Sequence, residues 1–174
     1  MNYNDIKMLI SDVDGVWTDG TVYKGTNDLE LKKFSVLDGV GVAMAMAAEL
    51  KIALISGRYS SATDHRAKEL NIQDVYNGYL NKIPAYIELK KKYNLSDYEI
   101  AYIGDDLIDI PIMEQVGFPI SVNNASVKVK KISVFVTKVN GGQGAFREAV
   151  EWIIEKQGKT DEVFQIMKKR ILTS

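Results

Sequence analysis

Met8-Leu9-Ile10-Ser11-Asp12-Val13-Asp14-Gly15 is the stretch on which the fold turns. Its apolar run is too short for a helix and ends at turn-forming residues, so residues 8–11 are predicted to form a strand buried on both faces. Residues 52–56, 100–104, 119–122 and 134–137 read the same way. Helix-like periodicity covers residues 40–50, 62–70, 84–93, 107–116 and 145–156. This alternation predicts the α/β class, a Rossmann-like three-layer α/β/α sandwich around a central parallel sheet. Sheets of that kind bind ligands at the C-terminal ends of their strands, so the residues just beyond each strand are the candidates for chemistry. One segment interrupts the pattern. Residues 16–23 and 29–36 are β-prone and flank Gly25-Thr26-Asn27-Asp28, so 16–36 reads as a hairpin. Val22, Leu29, Leu31 and Phe34 would give it an apolar outer face, and a lone hairpin is marginal in water, so it is expected to pack against other subunits.

The rest of the chain sets limits. Its 174 residues are 46% hydrophobic and 26% charged, which suits a single domain over 1–174 with one core. With 22 basic and 23 acidic residues the net charge is -1, so no nucleic-acid partner and no membrane surface are expected. The polar start and the lack of any apolar stretch near ~18 residues predict a cytoplasmic protein. There is no cysteine and only one histidine, His65, which reads as a surface residue on a polar helix face. Chemistry must therefore rest on carboxylates, hydroxyls, lysine, arginine and backbone amides.

Those groups cluster after the strands. Asp12 and Asp14, at i and i+2 behind a buried strand, converge on a small volume, which is costly unless a cation lies between them. An Asp-rich turn capping a helix is the plainer alternative. Ser56-Gly57-Arg58 comes directly after the next strand and offers a hydroxyl and an approachable amide, although Ser-Gly is also an ordinary turn. Lys82 stands before a helix, where an isolated lysine is normally solvated. Gly104-Asp105-Asp106-Leu107-Ile108-Asp109 forms a second acidic cluster. Asp106 could cap the following helix and Asp109 could favour its first turn, but two such clusters have the hard oxygen character that Mg²⁺ prefers.

In this order, Asp12-x-Asp14, Ser56, Lys82 and Gly104-Asp105-Asp106 resemble the haloacid dehalogenase superfamily of phosphatases. The resemblance implies that Asp12 is the nucleophile that becomes an aspartyl-phosphate and that Asp14 carries the proton. Ser56 and Lys82 would hold the phosphoryl oxygens. It further implies Mg²⁺ on the Asp12 carboxylate, the Asp14 carbonyl and Asp105, with Asp106 and Asp109 supporting the metal from outside. Superfamily members often carry a cap domain, but only 42 positions separate Asp14 from Ser56 and 26 separate Ser56 from Lys82, which leaves room for none.

A narrower resemblance covers residues 7–157. Residues 12–20, Lys33-Phe34, Asp38-Gly39, Ser56-Gly57-Arg58, Arg66-Ala67, Asn81-Lys82, residues 101–109 and residues 141–148 are similar to the family of 3-deoxy-D-manno-octulosonate 8-phosphate phosphatases. This implies a phosphorylated sugar acid as substrate and a homotetramer assembled through the hairpins, with neighbouring subunits and the C-terminal tail closing the site. Gly57, Arg58, Arg66 and Thr18 are the expected substrate-binding residues, and a guanidinium can grip the sugar carboxylate with two parallel bonds. Four positions depart from the family pattern: Ser35 stands where asparagine is usual, Leu37 and Gln143 where arginine is usual, and Ile110 where tryptophan is usual. A nine-carbon, neuraminate-type sugar-acid 9-phosphate is the alternative substrate, and a non-catalytic assembly module of the same fold is the alternative role. In the tail, 158–174, Phe164, Met167 and Ile171 at helical spacing predict an amphipathic docking helix.

Overall fold

The computed structural model describes residues 2–27 and 29–173. Asp28 of the expected hairpin turn, and the terminal Met1 and Ser174, lie outside the described residues. The elements are β1 (Met8–Ser11), the hairpin strands β2 (Tyr23–Lys24) and β3 (Glu30–Leu31), α1 (Val36–Ala47), β4 (Lys51–Ser56), α2 (Ser61–Glu69) and β5 (Asp74–Asn77). They continue as α3 (Ile83–Tyr93), β6 (Ile100–Gly104), α4 (Ile110–Met113), β7 (Phe118–Ser121), α5 (Val127–Ile132), β8 (Phe135–Val136), α6 (Ala145–Lys156) and α7 (Thr160–Thr173).

Six strands make one parallel sheet in the order β5-β4-β1-β6-β7-β8. β1 is central, with Ser11 in register with Leu54 on one side and Ile103 on the other. The order runs outward one way from β1 and then the other, so the ends of β1, β4 and β6 surround the point where it reverses. α1 packs on α6 and α7, and α3 on α4, the grouping that right-handed crossovers impose on such an order. Every residue of β1, β6 and β7 is buried, which explains their uninterrupted apolar runs. Among the described residues only the hairpin and α1 lie between β1 and β4, and only α2 and β5 between β4 and α3, so these intervals hold no cap.

The differences from expectation have local causes. The hairpin ladder shrinks to two pairs, Tyr23 with Leu31 and Lys24 with Glu30. Val16 and Trp17, β-prone in sequence, are instead fully buried in the loop after β1, where the Trp17 indole donates to Ser11 Oγ (2.9 Å) and lies 4.4 Å from the Phe146 ring. α1 starts at Val36, four residues early, because Ser35 Oγ accepts from Leu37 N–H. The helix expected over 107–116 breaks into a 3₁₀ turn at Leu107–Asp109 and the short α4, since Asp109 Oδ2 accepts the N–H groups of Asp105 and Asp106. β5 and α5 lack a long enough apolar signature to be read from sequence. In the tail helix the docking stripe is rotated: Val163 is buried and Ile166 and Met167 pack on the core, whereas Phe164 and Ile171 are exposed. Phe34 likewise packs inward and is not part of the hairpin's outer face.

Candidate active site

The loops after β1, β4 and β6 enclose a cleft of about 520 Å³. Asp12, Asp14, Gly57, Arg58, Asp105 and Asp106 are among the residues that line it. Asp12 is held at its floor by a backbone bond from its N–H to Ile103 O, extending the β1–β6 ladder by one residue. The Asp12 side chain is almost wholly buried, and its Oδ1 lies 2.7 Å from Lys82 Nζ. Lys82, in the loop that opens α3, is buried too, and the same ammonium donates to Asp109 Oδ1 (2.7 Å) and to the Tyr102 hydroxyl (3.1 Å). Burial alone would pull the Lys82 ammonium down, but the Asp12 and Asp109 charges outweigh it and the net shift is upward.

Asp12, Asp105 and Asp109 each bring a carboxylate oxygen within 4.8 Å of the others. Burial pushes Asp105 and Asp12 upward, Asp109 adds to both, and the Asp12 charge raises Asp105 further. Space for Asp105 exists because residue 15 is glycine at φ +96°, where a Cβ would sit 2.1 Å from Asp105 Oδ2. Asp109 is already committed: Lys82 and Tyr102 donate to one oxygen and two backbone N–H groups to the other. Asp12 and Asp105 are therefore the carboxylates free to take a cation. Their oxygen donors, crowded against one another with a single ammonium nearby, fit a hard divalent ion.

Asp14 faces the cleft from above. Its two oxygens lie 2.7 and 2.9 Å from the Nζ of Lys32, a lysine whose side chain is inaccessible to solvent and which also donates to Thr63 Oγ1 (3.2 Å). Arg58 donates to Glu30 with both Nη atoms at 2.7 Å, and its Nε stands 4.0 Å from Asp14 Oδ2. The Arg58 guanidinium beside Glu30, aided by Lys24, holds that carboxyl well below the usual range. Sequence reasoning missed Glu30 and Lys32. Their signal was the alternation in Glu30-Leu31-Lys32, in which Leu31 is exposed while its charged neighbours turn inward.

Several expected roles need correction. Thr18 does not line the cleft: it is fully buried, and its Oγ1 accepts from the N–H groups of Gly15 and Gly20, pinning the loop. Arg66 lies apart from the cleft, in a separate hollow with Phe34, Val36, His65 and Glu69, paired to Glu69 and donating to Ser35 O. Asp106 lines the cleft, exposed, and its Oδ1 caps Leu107 N–H. Ser56 stands at the expected strand end, but its hydroxyl donates to Arg58 O, and Gly57 is the residue that reaches the cleft. His65 is exposed, as expected. Leu37 and Gln143, two of the departures from the family pattern, line one surface hollow together with Arg147.

Residues 52–148 match the family model of haloacid dehalogenase-like hydrolases. The chain is 40% identical over 158 residues to the 3-deoxy-D-manno-octulosonate 8-phosphate phosphatase KdsC of Escherichia coli strain K12, a match that covers 91% of this chain and 84% of that protein. Among solved structures, it is similar to the 3-deoxy-D-manno-octulosonate 8-phosphate phosphatase of Yersinia pestis (TM-score 0.89, 39% identity, 92% of this chain and 86% of that one). It is also similar to that of Moraxella catarrhalis, solved with a magnesium ion, a phosphate ion and a KDO molecule (TM-score 0.90, 36% identity, 95% of each chain). The fold, the cleft at the end of β1 and these likenesses agree: the chain belongs to the haloacid dehalogenase-like hydrolases, within the family of 3-deoxy-D-manno-octulosonate 8-phosphate phosphatases.

Proposed function

We propose that this protein is a Mg²⁺-dependent phosphomonoesterase that hydrolyses 3-deoxy-D-manno-octulosonate 8-phosphate to the free sugar acid and phosphate. The observation that carries the reading is the buried Asp12 at the strand end, with Lys82 on one side and Asp105 on the other. An Asp12 oxygen attacks phosphorus, the bond to the sugar oxygen breaks, and Asp14 gives that oxygen a proton. Water then attacks the phosphorus of the aspartyl-phosphate, yields its proton to Asp14 and restores the Asp12 carboxylate. Lys82 offsets the negative charge gathering around Asp12 in both steps. Asp12, the Asp14 carbonyl and Asp105 would hold a magnesium ion, which would supply the charge neutralisation needed for a carboxylate to approach a phosphate dianion. Gly57 leaves room for the phosphoryl group, and Arg58 at the rim is the group suited to the sugar carboxylate.

The cleft opens to solvent on a chain without a cap, so the active form is a homotetramer in which neighbours cover it, working in the cytoplasm. Among the described residues no helix is long and apolar enough to cross a membrane. Phosphate release with Mg²⁺ across eight- and nine-carbon sugar-acid phosphates tests the assignment. The eight-carbon 8-phosphate is expected to turn over fastest, and Asp12→Asn to lower kcat by ~10³-fold or more. Preference for a nine-carbon 9-phosphate would move the assignment to the neuraminate type.

A further inference from the structure

We propose that Lys32 of the hairpin is the positioning residue for Asp14, fixing where the proton carrier stands relative to the leaving oxygen. The inference rests on the aspartyl-phosphate chemistry proposed for Asp12 and extends it to a residue outside the motif. The two carboxylates of Asp12-x-Asp14 each have a separate buried lysine: Lys82 for Asp12 and Lys32 for Asp14. Lys32 reaches Asp14 from a distant stretch of chain, with both carboxylate oxygens within 2.9 Å of its Nζ. Thr63 on α2 accepts a further bond from the same ammonium, so the lysine is tethered from a second direction. A carboxyl in a loop samples several rotamers, whereas an ionised one bridged by a tethered ammonium is held in one; with a proton on one oxygen, Lys32 still donates to the other and keeps the group in place.

The strand geometry explains why the hairpin supplies this lysine. Glu30 and Lys32 share the inward face at i and i+2, while Leu31 between them is exposed. Glu30 holds Arg58 at 2.7 Å through both Nη atoms, so the same short strand edge orients the rim arginine as well. Shifting the strand by one residue would remove both contacts together.

Leaving-group dependence tests the role without relying on the sugar substrate. The parameter kcat/KM reports the step in which the ester bond breaks, and an alkyl leaving group needs its proton there far more than p-nitrophenolate does. Wild type, Lys32→Met and Lys32→Arg are compared on p-nitrophenyl phosphate, phenyl phosphate and a simple alkyl phosphate, with melting curves to confirm folding. In Lys32→Met, kcat/KM for the alkyl ester is expected to fall at least ~10-fold further than for p-nitrophenyl phosphate, and Lys32→Arg to recover most of that difference. Thr63→Val, which loosens the tether and leaves the lysine, is expected to shift the ratio the same way by a smaller factor. It keeps the test decisive if Lys32→Met does not fold. Parallel losses on all three esters, or an unchanged ratio, would overturn the proposal. Failure of the sugar-acid assignment alone would appear only in the substrate panel.

Discussion

Burial, Asp12 and Asp109 together make Asp105 the carboxylate with most to gain from a cation. The cation-free fold holds it against Asp12 at a cost, so binding should register as stability. A cation at 100 times its Kd contributes about 2.7 kcal/mol, which for a chain of this size is a rise in Tm of roughly 5–10 °C. Asp105→Asn relieves the repulsion, so its cation-free Tm is expected at or above that of the wild type, with little further rise on adding Mg²⁺. Thermal scans with and without Mg²⁺ check this, and an unresponsive wild type would remove the cation from the site. At this scale the sequence was informative at the strand ends: order and context singled out Asp12, Asp14, Lys82 and Asp105, and the fold brings them to one cleft. Lys32 and Glu30 were missed because their partners are far away in sequence, and the alternation in Glu30-Leu31-Lys32 was read only for its apolar residue. Thr18 and Arg66 lie off the cleft, since a residue type shows what it can bind and not which way it faces.

Among elements, the junction of α1 with α6 carries a second buried acid. Asp38, in the first turn of α1, accepts from Arg147 N–H at the start of α6 (3.1 Å), and Gly41 one turn on lets Arg147 approach so closely that a Cβ would be 2.8 Å from its Cα. Burial pushes the Asp38 carboxyl up to about 6, although the α6 N–H groups pull the other way. The folded state then holds this proton more tightly than the unfolded chain does. Asp38 therefore favours folding below about pH 4, and that contribution is lost as pH rises through 6. The loss is on the order of 2–3 kcal/mol, from a shift of about two pKa units. Asp38→Asn should flatten that part of the slope, checked by urea unfolding of both proteins between pH 4 and pH 7. An identical slope in the variant would place the effect elsewhere. Strands β1 and β6 and helix α6 were legible to the residue, since burial on both sides or a clean stripe leaves one reading. The start of α1 and the reach of the hairpin were not, because a serine cap and a buried tryptophan loop decided them.

Over the whole molecule, the hairpin presents Tyr23, Leu29 and Leu31 to solvent, each at least half exposed, on the side opposite Glu30 and Lys32. An apolar edge of that kind is expected to be covered in a tetramer. Replacing both leucines, Leu29→Glu with Leu31→Glu, should yield smaller species by sedimentation, with near-native helix content and lower activity. A fully active wild-type monomer at working concentration would refute the shared site. The chain's composition had already reduced the available chemistry to carboxylates, hydroxyls, lysine, arginine and backbone amides, and its spacing had excluded a cap. What composition could not convey is that one hairpin has two faces with different tasks.

The loop after β1 is clasped by residues from the far end of the chain. Gly142 N–H donates to Val16 O, a Cβ at Gly141 would sit 1.7 Å from Gly15 O, and the Phe146 ring lies tilted against Trp17. During synthesis Asp12 and Asp14 of the cleft emerge more than a hundred residues before the wall that shapes their loop. A nascent chain released before residue 146 holds the motif without the enclosure, so competence is acquired late, and the contacts that confer it are among the longest-range in the fold.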